Sequence, residues 1–356
     1  MTVTHQVGLD SEPIVFYLPF KMDRITHLPA RVSDYWSWII RNRGVGEGKY
    51  SWTLQTYLHL RSAGVPCELT ERFPSRGLVV SHRDFLPIYL RPRPNVFLVC
   101  IKPDRKRHTW AQFYVVQNPL DTLLTGKTGT TRVAAIPSWP QPSLVPRNPA
   151  RGSRCESVAY FGRAFNLAEE LKSDEWKSGL RSLGFEWSKV GFENWHDYSA
   201  IDVTVSVRSF EERPADIDPV RNANCKPPAK LTNSWLAGVP AIVGAESAYQ
   251  SVRRNSLDFI EVKTSQEIKD ALLELKHNSR LYRDMVDHGL TRGQEFSSDA
   301  VCGRWMELVG GEIATAYEAW QAKGSVRSSL ENARNVIEYF SDVQNIKDIR
   351  TIFRWT

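Results

Sequence analysis

No apolar run in the chain approaches the ~20 residues that a membrane-spanning helix requires. Residues Met1 to Pro13 lack the cationic start and apolar centre of a secretory signal. Cysteine is scarce: Cys67, Cys100, Cys155, Cys225 and Cys302 lie far apart, with no C-x-x-C pair. That scatter argues against a disulfide framework or a zinc site and favours a reducing compartment, so a cytoplasmic location is expected. The eight histidines show no metal-ligand spacing, and no metal or other cofactor is expected. No G-x-G-x-x-G turn follows an early strand, because Gly44, Gly46 and Gly48 stand in a basic loop. The fingerprint of a nucleotide-binding oxidoreductase or epimerase is therefore missing. There is no internal repeat and no low-complexity tract.

What is present suits a soluble α/β protein of two domains. A chain of 356 residues exceeds one typical core. Its 42% hydrophobic and 24% charged content is ordinary for a globular protein. The net charge of +6 is uneven: residues 1–150 hold 19 Lys and Arg against 10 Asp and Glu, and the remainder is slightly acidic. A basic first half suits an anionic partner such as a phospholipid surface, a lipid-pyrophosphate acceptor or nucleic acid, or simply keeps the surface soluble. No RNA-binding motif accompanies it, so no nucleic acid is expected.

In the first half, short apolar segments at Ile14–Leu18, Pro66–Leu69, Gly77–Ser81, Asn95–Ile101, Phe113–Val116 and Arg132–Ile136 read as strands, and Ser51–Ala63 as a helix ended by Gly64. A second helical candidate, Ser33–Asn42, sets Tyr35, Trp36, Trp38 and Ile39 beside Arg41 and Arg43. It fits either a membrane interface or a face packed on its own domain. Residues 137–153 carry prolines throughout and close on Gly-Ser, marking a linker. The second half alternates more clearly. Strands are expected at Ser157–Phe161, Phe185–Lys189, Ile201–Val207, Val239–Val243 and Phe259–Val262. Helices are expected at Leu167–Leu183, Lys230–Leu236, Ser247–Arg254, Ser265–His277 and Ser279–His288, with helical sequence onward to Lys323 and over 325–356. The expected division is a Rossmann-like domain over 1–136, the linker 137–153, a second Rossmann-like domain over 154–305, and a C-terminal helical extension over 306–356 that partly returns to the first domain.

Ligands of open α/β sheets bind beyond the carboxyl ends of strands, at helix N-termini. Four such places carry suitable residues: Gly162 and Arg163 after the 157–161 strand; the loop with Trp195 before the 201–207 strand; Arg208 at that strand's end; and Lys226 and Lys230 flanking Pro227 and Pro228. Glycine permits close backbone approach, arginine meets a diphosphate bidentately, and proline suits a first helical turn. Glu246 and Ser247 follow the 239–243 strand, where the glutamate can accept hydrogen bonds from sugar hydroxyls or support the next helix.

The stretch Lys226-Pro227-Pro228-Ala229-Lys230-Leu231, followed by Ala237-Gly238-Val239-Pro240-Ala241-Ile242, resembles the donor half of GT-B glycosyltransferases. The likeness is clearest over residues 155–290 and weaker over 14–136, where Ser51-Trp52-Thr53 looks like the loop that faces the transferred sugar. It implies two Rossmann-like domains facing across a cleft, with C-terminal helices. It also implies a nucleotide sugar such as a UDP- or GDP-sugar as donor, the diphosphate at the Lys230 helix, the base before Ile201 and the ribose near Asn233. The pair of glutamates eight residues apart that many such enzymes carry is absent, with Cys225 and Asn233 in its place. The acceptor is expected to be a hydroxyl, a lipid-linked one included, with peripheral contact at the cytoplasmic face of a membrane.

Glycosyl transfer passes through an oxocarbenium-like state and leaves charge on the diphosphate, which fixed cations and helix N–H groups can hold without a metal. The candidates are Arg163, Arg208, Lys226 and Lys230. A base for the acceptor hydroxyl is expected from the first domain, where His82 and Asp84 lie just beyond a buried strand. A non-catalytic nucleotide-sugar-binding protein of the same fold stays open, as does a Rossmann-type epimerase or oxidoreductase.

Overall fold

The computed structural model describes residues 13–42, 47–87, 90–121, 124, 132–210 and 225–322. The helical readings from Lys323 onward lie outside them. The first sheet holds β1 (Ile14–Tyr17), β2 (Cys67–Thr70), β3 (Gly77–His82), β4 (Val96–Ile101), β5 (Phe113–Val116) and β6 (Arg132–Ala135), in the order β2-β1-β3-β4-β5-β6. The second holds β7 (Ser157–Phe161), β8 (Glu186–Val190), β9 (Val203–Ser206), β10 (Ala241–Gly244) and β11 (Ile260–Val262), in the order β11-β10-β9-β7-β8. Every neighbouring pair is parallel. β3 and β4 are buried along their whole length, as the unbroken runs Leu78-Val79-Val80 and Val96-Phe97-Leu98-Val99 require of central parallel strands covered on both faces.

In each sheet the chain order reverses beside the first strand: β1 lies between β2 and β3, and β7 between β8 and β9. The crevice at such a reversal, beyond the strand C-ends, is the natural ligand site of an open α/β sheet. His82 closes β3 at the first reversal, and Gly162 follows β7 at the second. Both line one cleft, so two α/β units face each other in a GT-B arrangement.

The linker is pinned to the second sheet. Asp202 is fully buried and accepts from Arg147 (2.9 Å), Arg151 (2.7 Å) and the backbone N–H groups of Glu156 and Ser157 (3.0 Å each). Burial opposes its charge, but Arg151, the two amides and Arg147 outweigh it and hold the carboxyl below the usual range.

Helices Ser298–Leu308 and Ala314–Gln321 pack on the first core through Val301, Trp305 and Tyr317, joined by Ile313 of the π-turn Val309–Ile313 between them, and Phe97 meets Tyr317 and Trp320 edge-on at 5.7 Å. The packing begins at Ser298, ahead of the 305/306 division read from the sequence. Other differences are local. The expected helix over 167–183 breaks into a 3-10 turn at Glu169–Lys172 and a helix at Asp174–Ser182, because the Ser173 side chain accepts from Trp176 N–H (3.1 Å) and starts a new helix. Ser247–Arg254 shrinks to one turn, Ser247–Gln250, and Ser279–His288 extends to Gly293.

The 33–42 segment forms helix Tyr35–Arg41, and its aromatics are interior: Tyr35 is 2%, Trp36 4%, Trp38 4% and Ile39 0% exposed. The membrane-interface reading of that stripe is corrected. Trp38 Nε1 donates to His27 O (2.7 Å), and Trp36 packs on Phe192 of the second half (ring centres 5.3 Å apart). Among the described residues no helix is long and apolar enough to cross a membrane.

Candidate active site: a cleft between two sheet crevices

The cleft has a volume of about 570 Å³, within the range of small-molecule sites, and both halves line it. The second half contributes helix Ala229–Ala237. Pro227 and Pro228 carry no N–H, and the N–H groups of Ala229 and Lys230 make no hydrogen bond among the described residues. The helix ends at Gly238, whose φ of +67° is the left-handed conformation that glycine adopts at least cost.

Lys230 is partly buried, with Nζ 5.4 Å from the centre of the Tyr160 ring. Among the described residues its ammonium has neither a hydrogen-bond nor an ion-pair partner. Burial, then the Arg208 guanidinium, lower its pKa to about 7. Gly162 makes room for it: a Cβ there would stand 2.6 Å from Tyr160 Oη and 2.8 Å from Lys230 Cε. Free N–H groups at a helix start beside an unpaired cation make an anion site.

The other expected cations fare differently. Arg163 lines the cleft, its guanidinium over the rings of Phe192 (4.7 Å) and Trp195 (5.3 Å) and 3.5 Å from Glu47 across the cleft. Arg208 and Lys226 do not line it. Arg208 donates to Glu246 (2.7 Å) and Asn166 (3.3 Å), and Lys226 pairs with Asp104 of the first half (2.5 Å). Both are thus held by carboxylates rather than open to a ligand. Glu246 and Ser247 also lie outside the lining; Glu246 Oε1 and Ser247 Oγ are buried without a hydrogen-bond partner among the described residues. Asn233 lines the cleft, but its Oδ1 accepts from Gln141 N–H (2.9 Å), tying the linker to the helix and leaving Nδ2 for a ligand. Trp195 lines it with Nε1 donating to Val190 O (3.1 Å).

The first half contributes His82 and Asp84. His82 is 3% exposed, and its Nδ1 accepts from Asp84 N–H (3.0 Å). Burial lowers its pKa to about 4, so at neutral pH it is uncharged with its proton on Nε2. That tautomer donates a hydrogen bond. As a general base it is unsuited, since the basic nitrogen is already engaged. The Asp84 carboxylate is claimed by Arg105 Nε (2.8 and 3.1 Å). The helix beneath carries a π-turn at Ser51–Gln55, a distortion common at functional sites. It turns Ser51, Trp52 and Gln55 to the cleft, while Thr53 Oγ1 accepts from His82 N–H (3.2 Å).

Sequence reasoning missed Glu47, Tyr35, Trp139 and Gln141, all in the lining. For Glu47 the available signal was a lone acid between Arg41 and Lys49. No group of three or more His, Cys, Asp or Glu residues able to hold a metal occurs among the described residues.

No protein-family model and no curated protein matches the chain. Among solved structures it is similar to sucrose-phosphate synthase from Thermosynechococcus elongatus, with 13% identity, 82% of this chain and 81% of that one covered, and a TM-score of 0.44. It is also similar to HepE of Anabaena in complex with UDP and glucose, with 10% identity, 71% and 88% covered, and a TM-score of 0.45. A third likeness is TarM, with 8% identity and a TM-score of 0.41, where 61% of this chain spans 55% of that one. At these identities and scores the likenesses carry no argument about what this chain binds.

Proposed function

We propose that the chain is a glycosyltransferase that binds a nucleoside-diphosphate sugar in the cleft and passes the sugar to a hydroxyl acceptor. One observation carries the reading: a lysine ammonium and two helix N–H groups, none with a hydrogen-bond partner among the described residues, lie at the switch point of a parallel sheet, in a cleft sized for such a donor. Lys230, the Ala229 and Lys230 amides and Arg163 take the diphosphate and stabilise the leaving charge. Trp195 offers a ring edge to the base, Asn233 Nδ2 a donor to the ribose, and His82 Nε2–H a donor to a hydroxyl of the transferred sugar. Asp84, positioned by Arg105, holds the backbone turn that sets the His82 tautomer.

A thermal-shift screen with UDP-, GDP-, ADP- and TDP-sugars tests the reading, with CMP-sugars, which carry one phosphate, as the control. A ligand at 100 times its dissociation constant stabilises the native state by about 2.7 kcal/mol, so at least one donor is expected to raise the melting temperature. No shift with any of them contradicts it. Gly162→Ala drives Lys230 away from its place against Tyr160, and donor affinity is expected to fall about ten-fold by calorimetry, the scale of one charged hydrogen bond.

The His82 assignment has a pH signature. Because its pKa lies near 4 rather than 6.5, kcat/KM is expected to show no histidine inflection between about pH 5 and 8. Stability behaves otherwise. His59, His82 and His108 each have a pKa lowered to about 4 by burial. The unfolded chain therefore binds more protons between 6.5 and 4, and stability falls as pH drops through that window. An activity inflection near 6.5 that vanishes in His82→Gln contradicts the donor role.

A further inference from the structure

Among the described residues two ion pairs join the halves, one of them across the cleft. Lys226–Asp104 is tight, at 2.5 Å with side chains 17% and 26% exposed. Arg163–Glu47 is loose, at 3.5 Å with 42% and 32% exposed. The looser, partly exposed pair is the more easily exchanged. Glu47 begins helix Glu47–Tyr50 of the first half, and Arg163 follows β7 of the second, so the pair spans the space a ligand enters.

We propose that Glu47 is a built-in competitor for Arg163: it holds the guanidinium in the empty cleft, yields it to the diphosphate of the donor, and reclaims it as the diphosphate product leaves. The inference rests on the reading of this cleft as a diphosphate site. Two features support the exchange. The Arg163 guanidinium stays seated on the faces of Phe192 and Trp195, so it can change anionic partner without moving far. Glu47 is also poorly solvated, with burial raising its carboxyl pKa despite the arginine.

Inorganic pyrophosphate is the probe, because it reports on the site without requiring transfer. Glu47→Gln keeps the shape and removes the competitor, and is expected to bind pyrophosphate about two- to five-fold more tightly than the parent, with slower dissociation. Arg163→Ala is expected to bind it more weakly. The double variant is expected to match Arg163→Ala, since a competitor has no effect without its target. Glu47→Ala serves as a second replacement with the same expectation. Unchanged or weaker binding in both Glu47 variants, or tightening that persists without Arg163, overturns the proposal, as does pyrophosphate binding to none of these proteins. Sugar transfer by an enzyme whose Glu47 variants bind pyrophosphate as the parent does would leave the function standing and the competitor disproved. The full pattern without transfer of any sugar would do the reverse.

Discussion

Lys230→Ala is expected to weaken nucleotide-sugar binding by about ten- to hundred-fold while leaving the fold intact. The magnitude is that of one charged hydrogen bond lost from a partly desolvated site. Among the described residues the lysine supports no ion pair whose loss would strand a carboxylate, so its removal is expected to cost binding rather than stability. The charge itself can be tested. With a pKa near 7, lowered by burial and then by Arg208, the empty site is only partly protonated at neutral pH. Donor binding is then expected to take up a proton, and affinity to fall as pH rises through 7. Lys230→Arg keeps its charge at every working pH and is expected to lose that dependence. Calorimetry in buffers of different ionisation enthalpy reads both effects. Equal donor affinity in Lys230→Ala and the parent means the diphosphate lies elsewhere.

Asp202→Ala is expected to destabilise the protein by about 3–5 kcal/mol, the usual cost of breaking a buried ion pair from one side. Arg147 would be left buried without its carboxylate, and the Glu156 and Ser157 amides would lose their acceptor at the entry to β7. The linker would keep its backbone hydrogen bonds from Val145, Arg147 and Asn148 to His196, Ala237 and Ser199, and would lose its ion-pair anchor. Asp202→Asn keeps one acceptor oxygen but turns an NH2 donor toward N–H donors, and is expected to recover little of the loss. Because the carboxyl pKa is depressed in the fold, this stabilisation is present above the ordinary Asp value of 3.8 and lost as pH falls through the folded value. The gap between parent and variant in urea midpoint should narrow in acid. A destabilisation below about 0.5 kcal/mol, the scale of a neutral surface change, would contradict the role given to Asp202.

The strands were legible because central parallel strands are continuous apolar runs: Ser157–Phe161 and Phe113–Val116 fall where the sequence puts them. Helix Ala229–Ala237 was legible from a proline entry and a glycine exit. The break at Ser173 was not, since a serine inside a periodic helix reads the same whether it caps or merely faces solvent. The docking of Ser298–Leu308 on the first core was only partly legible, because an apolar helix face does not name its partner. Gly162, Arg163, Trp195, Lys230, Asn233, His82 and Asp84 do meet in one cleft, since most lie at or just past a strand end or in the first turns of a helix that the sheet order brings together. Arg208 and Lys226 looked equivalent to Lys230 in sequence. Their carboxylate partners, Glu246 and Asp104, lie 38 and 122 residues away and could not be paired with them by pattern.

The most direct measurement is a crystal structure of the protein with the nucleoside diphosphate that gives the largest thermal shift. The diphosphate oxygens are expected about 2.7–3.2 Å from Lys230 Nζ and the N–H groups of Ala229 and Lys230, with Arg163 turned from Glu47 toward the ligand. A diphosphate bound elsewhere, with Lys230 still resting on Tyr160 and Arg163 on Glu47, would contradict the account.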